Sequence, residues 1–310
     1  MKIDMVVGRD DFSRNLAKEL EAEYVNVKLH IFPDNEIKPT LEIKTNDEIR
    51  GKDVLVVSRT DRFEPKPNDA IIELGLTVKN LSFLDADKID ILMPYMFYAR
   101  QDESFQKGEP ESFSIITGLY ENWLGRFQKV RSLITMNSHL YGKEEDINDF
   151  FTKKIKPHDI NSSGLFADYF KSKKLKNAVI ISPGAREIAK ELSEQLKIPY
   201  ESLDKPRNHK TGEIKLEHPK INFKNRDVVI HDDLASSGGT IEETVDLVYE
   251  TQPRNVYVAL PHLLTEKGIE RVCNLGVDVV TTDSLDSGKR YKRFTELSTV
   301  PLFSNYIRKL

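Results

Sequence analysis

Short apolar runs alternate with amphipathic stretches along almost the whole chain, and this alternation most constrains the fold. In the first half, apolar runs predict strands at residues 2–7, 53–57, 89–95 and 132–136. Apolar residues at helical spacing predict helices at 11–21, 68–85 and 112–124. The run at 53–57 is apolar at nearly every position, which suits a strand covered on both faces. The pattern therefore predicts an α/β fold with a mostly parallel sheet.

The same alternation begins again in the second half. Predicted strands lie at residues 178–182, 227–231, 255–260 and 278–282, and predicted helices at 164–173, 185–196, 240–250 and 268–274. A polar, lysine-rich stretch at 141–159 separates the two halves, and residues 204–217 interrupt the second half as a predicted loop leading into a hairpin. We predict two similar α/β domains, at 1–145 and 146–310, each with a central sheet flanked by helices.

Composition excludes several classes of protein. The 310 residues include 46 basic and 50 acidic side chains, a formal charge of −4. This balance argues against a nucleic-acid partner or a basic membrane-surface protein. Cys273 is the one cysteine and has no internal disulfide partner, which suits a reducing compartment. The opening residues lack a charged-then-apolar leader and no apolar run approaches about 18 residues, so we expect a cytoplasmic protein.

The strongest functional pattern is VVIHDDLASSGGT at residues 228–240. An apolar strand ends in two acids, and a Ser/Gly/Thr turn then opens a helix. Ligands of open parallel sheets bind beyond the carboxyl ends of the strands. Backbone N–H groups and hydroxyls at a helix N-terminus favour a phosphate, and carboxylates suit ribose hydroxyls or a hydrated metal ion. An acidic turn with serine and glycine as filler is the alternative.

This run resembles the phosphoribosyl-diphosphate (PRPP) binding loop of the type I phosphoribosyltransferase fold. Three further segments resemble the ribose-phosphate diphosphokinase, or PRPP synthetase, family. PYMFYARQD at 94–102, followed by GEP at 108–110, resembles the signature segment of that family. FPDNE at 32–36 resembles its Phe-x-Asp-Gly-Glu motif, and LDKPR at 203–207 resembles its catalytic flexible loop. The resemblance runs through nearly the whole chain in the family's order.

The resemblance implies two tandem phosphoribosyltransferase-like domains that convert ATP and ribose 5-phosphate into PRPP and AMP with Mg²⁺. It places ATP at Phe32, Asp34, Asn35, Glu36, Arg100, Gln101 and Asp102. It places ribose 5-phosphate at Asp232, Asp233, Ser236, Ser237, Gly238, Gly239 and Thr240. It gives Lys205 and Arg207 the catalytic role and His139 a metal-linked role. In the family the Phe-x-Asp-x-Glu residues reach ATP from a neighbouring subunit, so the resemblance also implies a homo-oligomer, at least a dimer.

Taken without the family, several of these residues have simpler interpretations. Arg100 suits a surface salt bridge, Phe32 a core aromatic and Asp34 with Asn35 a turn. Lys205 and Arg207 suit solvated loop charges, and a lone histidine such as His139 is more often structural than a ligand.

The chain also departs from the family pattern on the metal side. Asn137 stands where the family has an aspartate two residues before the histidine, and the stretch at 181–186 reads ISPGAR, with no carboxylate, where the family has a Pro-Asp-x-Gly turn. Two missing carboxylates weaken a site for a hard cation. The first hypothesis is therefore an active ribose-phosphate diphosphokinase. The second is a catalytically impaired homologue that binds nucleotide or sugar phosphate as a regulatory subunit. A phosphoribosyltransferase that consumes PRPP comes third.

Overall fold

The computed structural model describes residues 1–60, 66–104, 106–124, 129–144, 146–152, 154–203, 222–285 and 291–310. It divides into two compact units. Unit 1 comprises Met1–Ile160 with Thr299–Leu310, and unit 2 comprises Asn161–Ser298.

Unit 1 is built on a seven-stranded sheet, and α-helices connect three of its pairs of successive strands. Its strands are β1 (Met5–Gly8), β2 (Glu23–Ile31), β3 (Ile37–Leu41), β4 (Asp53–Val57), β5 (Lys88–Leu92), β6 (Val130–Met136) and β7 (Lys156–Ile160). Its helices before that last strand are α1 (Asp11–Leu20), α2 (Pro67–Phe83) and α3 (Ser112–Trp123). The strand order is β3-β2-β1-β4-β5-β6-β7, with β3 antiparallel to β2 and the other pairs parallel.

Unit 2 repeats this plan with a six-stranded sheet in which all pairs are parallel. Its helices are α4 (Ser163–Lys173), α5 (Arg186–Leu196), α6 (Gly239–Tyr249) and α7 (Glu266–Asn274). Its strands are β8 (Val179–Ser182), β9 (Tyr200–Ser202), β10 (Asp227–His231), β11 (Leu234–Ala235), β12 (Asn255–Leu260), β13 (His262–Leu263), β14 (Asp278–Thr282) and β15 (Phe294–Leu297). The order of the main sheet is β15-β14-β12-β10-β8-β9, and β11 pairs with β13 beside it.

The last helix, α8 (Val300–Lys309), returns to unit 1. Its buried Phe303 and Ile307 share a core cluster with Phe12 and Leu16 of α1. The rings of Phe12 and Phe303 meet edge to face, with centroids 6.3 Å apart. The apolar face of α8 therefore packs beside α1 against the same strand residues of the sheet.

These units differ from the predicted division after residue 145. The polar stretch at 141–159 contains most of β7, which pairs in parallel with β6 and belongs to unit 1. Its lysine and histidine side chains suit an edge strand, while Ile155 and Ile160 are buried. The packing of α8 moves the C-terminal residues to unit 1 as well.

Each sheet has one point where the strand order reverses, the place where open α/β sheets bind ligands. In unit 1 this point lies between β1 and β4. The Arg59 Nη1 atom lies 2.6 Å from Asp10 Oδ2 there, and the Arg59 side chain is only 7% exposed. In unit 2 the reversal lies between β8 and β10, directly beside the Asp-Asp pair of the predicted phosphate site.

Candidate active site

Two acids follow β10, and the structure gives them different surroundings. Asp232 is 6% exposed, and its Oδ1 atom accepts a hydrogen bond from the backbone N–H of Ala185 at 2.9 Å. This bond joins the end of β10 to the turn after β8, across the strand reversal. Asp233 is half-buried, and its Oδ1 atom accepts from the N–H of Leu234 at 2.8 Å. Asp232 therefore holds together the carboxyl ends of β8 and β10, which form the two sides of a crevice at the strand reversal. Asp233 shapes the turn that leads to the glycines.

A neutral histidine lies directly before these acids. His231 is 1% exposed, and its Nδ1 lies 2.8 Å from the carbonyl oxygen of Ala259, so Nδ1 donates the proton of that bond. The ring also packs against Phe166, with centroids 5.2 Å apart. Burial lowers the pKa of His231 to about 4, and the imidazole is uncharged at neutral pH.

Residues 236–240, called the phosphate loop below, contain one glycine in a conformation that favours glycine. Gly238 is the N-cap of α6 at φ 77°, a left-handed conformation that favours glycine. A Cβ atom there would lie 3.1 Å from Val272 Cγ2 and 3.2 Å from the carbonyl oxygen of Gly268. Ser237 is exposed, and Ser236 and Thr240 are half-buried. Hydroxyls and the N–H groups of the first turn of α6 thus meet at one helix end, the arrangement that binds a phosphate.

Helix α7 contacts this loop, which the sequence analysis did not predict. The Thr265 Oγ1 atom donates to the carbonyl oxygen of Ser236 at 2.7 Å. Gly268 lies so close that a Cβ atom on it would be 2.0 Å from the same oxygen. The sequence shows only a helix start at this point, because nothing in the local pattern links it to a loop almost thirty residues earlier.

The segment at residues 32–36 is the turn of the β2–β3 hairpin. The Phe32 N–H donates to the Glu36 carbonyl at 2.8 Å, and the Asn35 N–H donates to the Phe32 carbonyl at 2.9 Å. Asn35 has φ 68°, and Asp34 Oδ1 accepts from the Glu36 N–H at 3.1 Å. The Phe32 ring is 36% exposed and packs edge to face on His30. The turn interpretation of Asp34 and Asn35 is therefore confirmed, and the core interpretation of Phe32 is wrong.

The segment at residues 100–102 lies in unit 1, beyond the carboxyl end of β5. Arg100 and Gln101 are exposed, and the Gln101 N–H donates to the carbonyl of Tyr98 at 2.8 Å. Asp102 is half-buried and lies 2.9 Å from Lys143 Nζ. Two exposed polar side chains thus follow the carboxyl end of a strand, where open α/β sheets bind ligands.

His139 lies on the loop after β6 and is half-buried. The preceding residue, Ser138, donates from its N–H and its hydroxyl to Asp159, with an Oγ–Oδ2 distance of 2.5 Å. Burial raises the pKa of Asp159 to about 6. Lys143 continues the same loop and bonds Asp102, so the loop of the predicted metal-linked histidine is joined to one segment predicted to bind ATP, within unit 1.

The described residues do not fit a magnesium ion held by protein groups alone. In the ranges that the structure describes, no group of three or more His, Cys, Asp or Glu side chains could hold a metal ion. Asn137, which replaces a carboxylate near His139, is fully buried. Mg²⁺ prefers several oxygen ligands in octahedral geometry.

Two predicted residues fall elsewhere. Lys205 and Arg207 lie outside the described residues.

Within the described part of the chain, no helix is both long and apolar enough to span a membrane.

The repeated βα plan and the glycine-rich loop after an Asp-Asp pair define a protein with the phosphoribosyltransferase fold. Residues 1–123 match the family model of the N-terminal domain of ribose phosphate pyrophosphokinase. Residues 151–282 match the model of the phosphoribosyl transferase domain. The predicted class of two tandem domains of this fold is confirmed.

Named relatives and one solved structure agree. The ribose-phosphate pyrophosphokinase of Saccharolobus solfataricus is 33% identical over 271 residues, 85% of each chain. That of Sulfurisphaera tokodaii is 32% identical over 276 residues, 87% of this chain and 88% of the relative. The fold matches that of phosphoribosylpyrophosphate synthetase from Mycobacterium smegmatis with a TM-score of 0.81 and 23% identity, covering 98% of this chain and 97% of that one. The chain belongs to the ribose-phosphate pyrophosphokinase family of enzymes.

Proposed function

We propose that this enzyme transfers the diphosphoryl group of ATP to the C1 hydroxyl of ribose 5-phosphate, producing PRPP and AMP. The observation that carries the proposal is the loop of unit 2, where an Asp-Asp pair at the strand reversal leads into a helix opened by Gly238. Family membership supports PRPP synthesis as the general activity.

In this proposal the 5-phosphate of the sugar binds at residues 236–240. The N–H groups at the start of α6 and the hydroxyls of Ser236, Ser237 and Thr240 donate hydrogen bonds to its oxygens. Asp232 and Asp233 accept from the ribose hydroxyls. Because the Ala185 N–H already holds Asp232 at 2.9 Å, that carboxylate is oriented before the sugar arrives.

ATP binds at the polar segments of unit 1. The guanidinium of Arg100 suits phosphate oxygens, and Gln101 and Asp102 suit polar groups of the nucleotide. The exposed Phe32 ring and the acids Asp34 and Glu36 form the adenine side, contributed from a neighbouring subunit of at least a dimer. Lys205 and Arg207, whose segment resembles the family's catalytic loop, stabilise the charge that develops on the transferred phosphorus and the leaving oxygen.

We retain Mg²⁺ as a predicted partner of ATP, bound mainly through phosphate oxygens and water. The cytoplasmic setting likewise stays a prediction.

The test is product formation by the purified protein. With ATP, ribose 5-phosphate and Mg²⁺, mass spectrometry should detect AMP and PRPP in equal amounts, and both should vanish when ribose 5-phosphate is left out. Tight binding of ATP or ribose 5-phosphate without products would overturn this proposal. It would favour a regulatory homologue, in line with the absent carboxylates at Asn137 and at residues 182–185.

A further inference from the structure

One hydroxyl connects helix α7 with the phosphate loop. Thr265 is the N-cap of α7, and its Oγ1 accepts the N–H of Gly268 at 3.0 Å. The same oxygen donates its own proton to the carbonyl of Ser236 at 2.7 Å. A single side chain thus fixes the start of α7 and the first residue of the loop together.

The backbones of the loop and α7 are also in direct contact. A Cβ atom on Gly268 would lie 2.0 Å from the Ser236 carbonyl oxygen, and one on Gly238 would lie 3.2 Å from the Gly268 carbonyl oxygen. Each glycine therefore makes room for the backbone of the other element. The path of the loop depends on where α7 lies.

An ion pair between α6 and α7 is a further link between α7 and the loop. Glu242 lies in the first turn of α6, where its carboxylate would repel a bound phosphate. Arg271 of α7 pairs with it, at 2.6 Å from Nε and 2.5 Å from Nη2 to Oε2. The third nitrogen, Nη1, lies 3.6 Å from the Cβ position of Gly239. Arg271 therefore cancels the acid and places its guanidinium beside the loop.

We propose that α7 is the positioning element of the phosphate subsite, with Thr265 setting the backbone of the loop and Arg271 neutralising Glu242. The inference rests on the proposed function, because ribose 5-phosphate is the ligand whose phosphate the loop would hold. Thr265 and Arg271 act through the loop, so they are positioning residues.

The first test separates the Thr265 hydroxyl from general stability. Thr265→Val should raise the KM and the Kd for ribose 5-phosphate by about three- to tenfold, the value of one hydrogen bond, while kcat and the KM for ATP stay unchanged. Thr265→Ser, which keeps the hydroxyl, should restore both constants. The matched control is Thr251→Val, which removes a hydroxyl that donates to the Val248 carbonyl at 2.8 Å, at the opposite end of α6. It should leave both constants unchanged.

The second test isolates charge. Arg271→Met should raise the Kd for ribose 5-phosphate by about two- to fivefold. Glu242→Gln in the same chain should reverse most of that increase. Lys171→Met, which breaks an exposed ion pair with Asp168 on α4, serves as the control and should change nothing.

Calorimetry with ribose 5-phosphate alone keeps this inference distinct from the proposed function. A wild-type protein that binds the sugar phosphate but forms no PRPP overturns the function, and the variants still test α7. An unchanged Kd in Thr265→Val and Arg271→Met overturns the inference. Equal losses for ribose 5-phosphate and ATP overturn it as well, because they show general damage to the fold. A wild-type protein that does not bind ribose 5-phosphate overturns both proposals.

Discussion

Asp232 and Ala185 meet across the strand reversal of unit 2, where the carboxylate of one accepts the backbone N–H of the other at 2.9 Å. The two residues follow different strands, β10 and β8, so the bond joins the two walls of the crevice. It also places a carboxylate at the turn where the family has its own acid and this chain reads SPGA. One acid thus lies at the turn of residues 182–185 and, in the proposed function, also accepts hydrogen bonds from the ribose.

Replacing Asp232 should damage activity more than folding. Asp232→Asn keeps an oxygen for the Ala185 N–H but loses the charge, so kcat/KM for ribose 5-phosphate should fall by at least about tenfold. Asp227→Asn is the matched control, at the amino end of the same strand, where Asp227 accepts from Lys176 and Asn255. It should lower the free energy of unfolding by about 1–3 kcal/mol and leave KM unchanged. Steady-state kinetics and urea unfolding distinguish the two, and equal activity losses would contradict the assignment of Asp232 to the sugar.

Two glycines with the same backbone conformation should respond differently to alanine. Gly238 and Gly276 have φ of 77° and 74°, but a Cβ atom at Gly276 meets nothing within 4 Å. Gly276→Ala should lower the free energy of unfolding only by the strain of a left-handed alanine, about 1–2 kcal/mol. Gly238→Ala brings the same strain together with a steric clash against α7, so it should lower the free energy of unfolding further. It should also weaken the binding of ribose 5-phosphate. Denaturant unfolding and calorimetry check this, and equal effects at both positions would refute the close approach of α7.

Buried His231 should make the protein sensitive to acid. Its folded-state pKa of about 4 lies below the unfolded value of about 6.5, so the unfolded state binds an extra proton between those values. Stability is therefore lost as the pH falls from 6.5 to 4. His231→Gln retains a donor for the Ala259 carbonyl and should remove about 2–3 kcal/mol of that loss. Urea unfolding at several pH values measures it.

Asp159 provides a control for that experiment, because its effect on the pH dependence of stability has the opposite sign. Its folded-state pKa of about 6 lies above the ordinary value of 3.8, so its contribution to stability falls as the pH rises from 4 to 6. Asp159→Asn should therefore make unfolding free energy rise more steeply with pH, whereas His231→Gln should flatten it. Matching pH profiles for the two variants would contradict both assignments.

Lys205 should be needed for turnover and not for folding. Lys205→Ala should lower kcat by about a hundredfold or more, because the ammonium group is proposed to stabilise the transferring phosphoryl group. The melting temperature should not change. Lys210→Ala, a nearby lysine outside the family match, is the control. Full activity of Lys205→Ala would remove this residue from the mechanism.

The sequence predicted the strands that consist of continuous apolar runs. β4 and β10 lie at the predicted positions because strands buried on both faces are apolar at almost every residue. The β2–β3 hairpin, β7 and α8 were not predicted as elements. β3 and β7 are edge strands, and edge strands with mixed polar residues carry a weak pattern. Helix α8 has a clear amphipathic stripe, but its partner α1 lies almost three hundred residues earlier.

The phosphate loop was predictable for a related reason. All its parts, from the strand through the acids to the glycines, lie within one short run of sequence. The contacts that hold it are not local: Thr265 reaches Ser236, and Arg271 reaches Glu242, each from the following βα unit. Such contacts follow from the parallel sheet, which sets successive helices side by side, and no spacing rule within a single element reveals them.

The return of α8 to unit 1 also affects the order in which the protein can be completed during synthesis. Unit 2 is one continuous stretch of chain, whereas unit 1 lacks the helix that covers Phe12 and Leu16 until after Ser298 has been added. On the ribosome, unit 1 therefore begins first but is completed last. The apolar side chains that α8 covers stay exposed while unit 2 is synthesised. A chain interrupted before α8 would leave these apolar side chains uncovered, so the core of unit 1 is complete only once α8 has been made.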